Sequence, residues 1–350
     1  MKVIPPITVT PAMLTSSTAI ETTPAVYAGA TTYAPGALVY VGTVGQALAV
    51  YQSLAGANTG NAPASSPAWW QAMGSVYAEY AAGTSYAALD IIQVAATHLV
   101  YQSIVGANTG NAVTDATKWV LVGPTNKWAM FDLFRNTATA IPSPLTVVIA
   151  PGQRINSLGF VGLQSNSVTV SVDIGATNYY TRTLNTLLRK SINWTTFLFS
   201  PFAYKSSSVL FDLPPISGAT ITITIAGGAV KCGGIVMGRA VYVGAVQYNA
   251  VRSALNFSPI TRDNFGNATL VQRRSVPRTD QKLLINKALV NSILQLIVDL
   301  NAVPALWSGL DDQTSSDYFE ALLILGIYKE LSVSLDHPTA AIVGLQLEEI

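Results

Sequence analysis

The chain has 350 residues, half of them apolar, so it is long enough for roughly two or three domains with separate cores. Only 11% of the residues are charged, against about 25% in an average soluble domain, and the formal net charge of +1 excludes overall steering toward nucleic acid or an anionic membrane. The single cysteine, Cys232, excludes an intrachain disulfide and a cysteine-based zinc site.

An internal repeat follows a segment, residues 1–26, that we expect to form an extended N-terminal arm. Tyr51-Gln-Ser-Leu-Ala-Gly-Ala-Asn-Thr-Gly-Asn-Ala62 recurs as Tyr101-Gln-Ser-Ile-Val-Gly-Ala-Asn-Thr-Gly-Asn-Ala112, differing only at its fourth and fifth positions. Repetition at this period indicates two small modules, predicted at residues 27–74 and 75–123. The flanking residues align as Tyr27 with Tyr80, Tyr33 with Tyr86, and Trp69 with Trp119.

Each module is predicted to consist of short β-strands joined by turns. The β-branched and aromatic runs at 38–41, 49–52, 91–94 and 99–102 predict strands, and the Gly-Ala-Asn-Thr-Gly-Asn segments predict turns. Modules this small have few large residues, so Trp69 and Trp119 are predicted to be core aromatics. Trp70 aligns with Val120 of the second repeat and is expected to be exposed.

The repeated residue types suit saccharide binding, because sugars stack on aromatic rings and hydrogen-bond to neighbouring polar groups. The candidate carbohydrate-binding residues are Tyr51, Gln52, Asn58, Trp70, Tyr101, Gln102 and Asn108. The alternative is that these residues only build the cores and turns of the modules, and that a recent duplication keeps them similar.

Residues 124–246 are predicted to form a β-sandwich or jelly-roll domain. The runs 146–149, 168–172 and 220–225 are typical of strands, and the last alternates strictly between Ile and Thr. Turn signals separate these runs, and no long helical period is present.

Residues 247–350 are predicted to form an α+β domain. A helix is expected from a cap at Thr279 or Asp280 to about residue 301, and a second from 318 to about 325 after a cap at 315–317. Strands are expected at 331–335 and 342–347. Residues 252–287 contain seven basic and two acidic residues, which favours a subunit interface or solvated surface over a nucleic-acid site, since no binding motif accompanies them.

Catalytic groups are sparse. The two histidines, His98 and His337, are predicted to have surface or structural roles, and no nucleophile elbow is present. Asp173 and Asp212 are the only acids between residues 133 and 262, a poor supply for a glycosidase. The acids Asp311, Asp312 and Asp317 are better explained as a loop and a helix cap than as a cation site. We expect no enzyme activity, no cofactor, no metal, and no membrane span.

Two resemblances add to these expectations. The order Tyr33-x-x-Gly-x-Leu-Val-Tyr40, Val50-Tyr-Gln52, Asn58 and Trp69 resembles small carbohydrate-binding modules of the chitin-binding type. A second resemblance is carried by Gly123-Pro-Thr-Asn-Lys-Trp-Ala-Met-Phe-Asp132, the run from Gly238 to Arg274, and Trp307-Ser-Gly with Leu325-Gly-Ile-Tyr-Lys329. With these segments the rest of the chain resembles virion proteins of the tail-tip and baseplate group of tailed bacteriophages.

The resemblances imply a structural subunit of a phage tail, located in the virion, present in several copies and devoid of catalysis. Its expected partners are other tail proteins, further copies of itself, and a host cell-surface glycan. Two alternatives remain open, a carbohydrate-active enzyme with appended modules and a glycan-binding adhesin outside any phage.

Overall fold

A computed structural model describes residues 1–188, 193–199, 201, 203–310, 319–335 and 338–350. The protein is mainly β, with 47% strand and 8% helix, and its strands form many small sheets. This confirms the predicted mainly-β class.

The two repeats form two four-stranded sheets of the same design. Each begins with a short strand that pairs in parallel with the next one, and the remaining neighbours are antiparallel. Module 1 contains Ala25–Val26, Leu38–Val41, Leu48–Ser53 and Trp70–Val76. Module 2 contains Ala78–Glu79, Ile91–Val94, Leu99–Ser103 and Trp119–Pro124. The modules touch directly, because the amide of Ile91 donates to the carbonyl of Gly45 at 2.8 Å.

Two further sheets, called the outer and middle sheets, share one buried apolar cluster. In Thr220–Ala226 every Ile is buried while every Thr is partly exposed, which places one strand face in this cluster. In spatial order the outer sheet is Thr177–Asn185, Ser167–Ile174, Thr220–Ala226, Leu145–Ile149 and Leu14–Ser17. The middle sheet is Ser207–Leu210, Ser157–Val161 and Gly234–Gly238.

The middle sheet is buried on both faces, because an eight-stranded large sheet covers its other side. Gly159 of the middle sheet lies so close to Leu306 of the large sheet that a Cβ there would overlap it. In spatial order the large sheet is Val241–Tyr242, Lys2–Ile4, Ala305–Ser308, Leu323–Ser334, Ala340–Glu349, Ser275–Asn286 and Ala245–Val246, with Val251–Asn256 also paired to Ser275–Asn286.

One helix, Val290–Asp299, covers the far face of the large sheet. It buries Ile293 and Ile297 against a core that includes Leu283 and Val343. The body therefore has four layers, in the order outer sheet, middle sheet, large sheet and helix.

The remaining elements are short. Three two-stranded pairs join Thr139–Pro142 to Ala229–Cys232, Leu187–Leu188 to Ala203–Tyr204, and Ile260–Arg262 to Ala268–Leu270. A six-residue helix spans Trp194–Phe199, and 3-10 turns lie at Pro63–Ser65, Ala129–Phe131, Lys287–Leu289 and Phe319–Leu322.

The N-terminal residues do not form a separate arm. Lys2–Ile4 is an interior strand of the large sheet, and Leu14–Ser17 is an edge strand of the outer sheet. The segment predicted as an arm is thus divided between two sheets of the body.

The long helix predicted from Thr279 or Asp280 is wrong over its first half. Residues Ser275–Asn286 form a strand, and the helix begins only at Val290. Within the strand, Thr279, Gln281, Leu283 and Ile285 are buried at every second position. Two of these four inward residues are polar, so the alternation is hidden in a pattern that counts only apolar residues.

The second predicted helix is also wrong over most of its length. Phe319–Leu322 is a 3-10 turn and Leu323–Ser334 is a strand, whereas the proposed cap at 315–317 lies outside the described residues. Residues 323–326 are buried on both faces and therefore show no alternation. The predicted strands near the C-terminus are confirmed within Leu323–Ser334 and Ala340–Glu349. Among the described helices, none is long and apolar enough to cross a membrane.

Candidate functional site

Three aromatic rings pack together in each module. In module 1, Trp70 meets Tyr27 and Tyr33 edge to face at centroid distances of 5.9 and 5.2 Å. In module 2 the corresponding distances from Trp119 to Tyr80 and Tyr86 are 5.9 and 5.3 Å. The near-identical geometry supports the predicted equivalence of these tyrosines and makes Trp70 the counterpart of Trp119.

The predicted roles of Trp69 and Trp70 must therefore be exchanged. Trp70 is only 3% exposed, and its indole N–H donates to the carbonyl of Asn61 at 2.9 Å, as that of Trp119 does to Asn111 at 3.1 Å. Trp69 is partly exposed and occupies the position of Lys118 in module 2. Adjacent strand residues point to opposite faces, so a one-residue error in the alignment places the wrong ring in the core.

The repeated asparagines lie inside the modules. Asn58 and Asn108 are each 1% exposed. The Asn58 amide nitrogen donates to Ser53 Oγ at 3.0 Å, and its carbonyl oxygen accepts from Asn61 at 2.9 Å. Module 2 repeats both bonds at 2.9 and 2.8 Å. These side chains are buried in a hydrogen-bond network that accounts for the Ser, Asn and Asn of both repeats, and their sugar-binding role stays a prediction.

The remaining candidates lie on equivalent central strands. Tyr51, Gln52, Tyr101 and Gln102 are all partly buried. Gln52 and Gln102 each donate to a backbone carbonyl in the preceding turn, at 3.5 and 3.2 Å. The amides therefore help to hold the turns, and the two tyrosines are the candidates left for stacking on a sugar. Of these two, Tyr101 also packs against the buried cluster of module 2.

The strand beside the tyrosine differs between the modules. Tyr51 pairs with Ala72, whereas Tyr101 pairs with Leu121 on the edge strand Trp119–Pro124. Leu121 and its neighbours Val120 and Val122 are 54, 44 and 54% exposed. Module 2 therefore presents a more apolar surface beside its tyrosine than module 1 does.

A buried carboxylate that the sequence analysis missed joins module 2 to the body. Glu21 Oε1 accepts from Thr125 at 2.7 Å and lies 2.8 Å from His98 Nδ1, while Oε2 accepts from the Trp128 indole at 3.1 Å. The Glu21 carbonyl also accepts from the Gln93 side chain. The His98 ring stacks on Trp128 at 4.2 Å, which gives this histidine the structural role expected of it. An isolated acid in an N-terminal segment carried no motif that could have identified it.

The two acids considered for glycosidase chemistry form hydrogen bonds with separate partners. Asp173 accepts from Ser171 and Asn178, whereas Asp212 accepts from Tyr180 at 2.9 Å and pairs with Arg182 at 2.7 Å. Burial and the Asp212 contact raise the pKa of Tyr180 to about 12. Among the described residues no group of three His, Cys, Asp or Glu side chains could hold a metal ion. Asp311, Asp312, Asp317 and His337 lie outside the described residues.

A scan against protein-family models gives no match, and no curated protein matches the sequence.

Proposed function

We propose that the chain is a structural subunit of a tailed-bacteriophage tail tip or baseplate, without enzymatic activity, whose tandem modules attach to host-surface glycans. The observation that carries the proposal is the duplication of one rigid module on a layered β body. Two equivalent modules offer two equivalent contacts, and linked contacts raise overall affinity without any new chemistry.

The layered packing of the body supports an assembly role. Its middle sheet is buried on both faces, and its large sheet includes strands from residues 2–4 and 340–349. Such a body suits a fixed position among other tail proteins and further copies of this chain. The low charge of the chain is compatible with close packing of this kind.

Removing the rings of Tyr51 and Tyr101 tests the glycan part of the proposal. Tyr51→Ala combined with Tyr101→Ala removes both rings, and adsorption of the full chain to host envelope glycans should fall. Tyr179→Ala is a matched control, because Tyr179 is 56% exposed but lies on the outer sheet. Normal adsorption by a folded double variant would show that the modules are spacers or docking surfaces.

The tail location has its own test. Phage particles labelled with an antibody against this chain should carry the label on the tail in electron micrographs. Absence of label from the tail would refute the virion assignment, whatever the glycan experiment gives.

A further inference from the structure

A hairpin extends from the large sheet and packs against little else. Val251–Asn256 pairs with the first half of Ser275–Asn286, and the chain between them, residues 257–274, is here called the hairpin arm. Every residue of the arm except Ser258 is exposed to solvent. Its own ladder joins Ile260–Arg262 to Ala268–Leu270.

The tip of the arm is a defined turn. Asp263 Oδ1 accepts from the amides of Phe265 and Asn267 at 2.9 and 2.8 Å, and Gly266 has a φ of +85°. The Asn267 side-chain amide donates to Asp263 Oδ2 at 2.9 Å, and this bond together with the backbone bonds holds the pKa of Asp263 below its usual value. The turn presents Phe265 to solvent with 91% of its surface exposed.

The base of the arm is fixed to the body. Arg252 donates to the carbonyl of Glu320 at 2.6 Å. Arg274 donates to Glu349 and to the carbonyl of Ile350, both at 2.8 Å, and Arg135 pairs with the same carboxylate at 2.7 Å. The base is therefore held at a set place while the tip extends away from it.

The exposed apolar area of the arm is large. The exposed apolar side chains of the arm are Phe265 (91%), Leu270 (70%), Ile260 (59%), Phe257 (57%) and Val271 (50%). With about 200 Å² per aromatic ring and about 100 Å² per aliphatic side chain, they offer roughly 480 Å² of apolar surface. A stable interface of standard size uses about 800 Å² per partner, of which about 57% is apolar.

We infer that the hairpin arm is a self-association device that pairs with the arm of a second copy of this chain. A two-fold contact uses the same surface on both copies, so each arm supplies about the apolar area that a standard interface takes from one partner. The arm also has unpaired strand edges, which favour pairing with another strand.

The alternative of a nucleic-acid arm is less well supported. The arm and its base carry four arginines. Arg252 and Arg274 are bound to the body and Arg262 donates to the carbonyl of Gly266 at 3.3 Å, which leaves Arg273 as the fourth. Phosphate binding needs free cationic groups, whereas the feature that dominates here is apolar. Binding of the arm to nucleic acid would therefore contradict the inference.

The inference deepens the assembly role proposed above and rests on it, but it is tested on the purified full chain alone. Sedimentation velocity over a concentration series should show dimers for the natural chain. Phe257→Ser combined with Phe265→Ser should weaken association at least tenfold and leave the circular dichroism spectrum unchanged. The matched control is Trp194→Ser with Phe199→Ser, whose rings are 80 and 79% exposed on a different element and whose loss should leave association intact.

Three results would overturn the inference. They are a natural chain that stays monomeric up to about 100 µM, an arm variant that associates as the natural chain does, or an arm that binds a single-stranded oligonucleotide in place of a second copy. Each result is independent of where an antibody label falls on phage particles, so self-association and virion location fail separately.

Discussion

Replacing Trp70 with Ala should unfold module 1. The ring is 3% exposed, lies between two tyrosines and donates a hydrogen bond to Asn61. Burying about 200 Å² of aromatic surface at ~25 cal/mol/Å² stabilises by about 5 kcal/mol, and Trp→Ala changes in cores cost ~3–5 kcal/mol. At ~0.05–0.15 kcal/mol per residue, a module of roughly 50 residues has only about 2.5–7.5 kcal/mol of stability. The expected loss of free energy is therefore most of the stability of module 1.

The matched control is Trp69→Lys, which gives module 1 the residue that module 2 has at the equivalent position. It should change the free energy of unfolding by about 1 kcal/mol or less. The assay is hydrogen exchange measured by mass spectrometry on peptides that cover Leu48–Ser53. Trp70→Ala should abolish protection there and Trp69→Lys should retain it. Equal loss in both variants, or retention in Trp70→Ala, would refute the exchange of roles between the two tryptophans.

Three further results are expected. Asn108→Ala should cost about 1–3 kcal/mol of unfolding free energy, because it leaves Ser103 and Asn111 without their buried partner. Thermal unfolding monitored by near-UV circular dichroism should show this cost against a Gln102→Ala control, which loses one exposed hydrogen bond at 3.2 Å and should cost less. Glu21→Ala should cost about 3 kcal/mol and raise protease cleavage near Thr125, since it removes a buried charge from its partners; unchanged cleavage would contradict this role. Burial raises the pKa of the Cys232 thiol from 9.0 to about 12, so a thiol reagent should label it only after unfolding. Its contribution to stability is complete below pH 9 and is lost as the pH rises toward 12, and rapid labelling of the folded chain at pH 8 would contradict its burial.

The duplication in the sequence indicates which residues of the two repeats are equivalent. The pairs Tyr27 with Tyr80 and Tyr33 with Tyr86 have matching ring geometry in the structure. The tryptophan alignment failed because module 1 has two adjacent tryptophans where module 2 has one. Only the strand register, in which Trp70 pairs with Ser53 as Trp119 pairs with Ser103, decides between them.

The sequence alone could not predict which distant parts of the chain pair with each other. The alternation in Ser275–Asn286 includes buried Thr279 and Gln281, whose inward direction follows from their place in an eight-stranded sheet. The role of Glu21 likewise depends on His98, Thr125 and Trp128, which tertiary contacts bring to it. Local patterns specify strands and turns, but they do not specify which strands become neighbours.

The interior position of Lys2–Ile4 has a consequence for how the chain folds. This strand lies between Val241–Tyr242 and Ala305–Ser308, with Lys2 opposite Ser308. Pairings of such high sequence separation close large loops and slow folding. During synthesis this strand cannot complete its pairing until Ala305–Ser308 has emerged, so the large sheet is completed only after those residues have been translated.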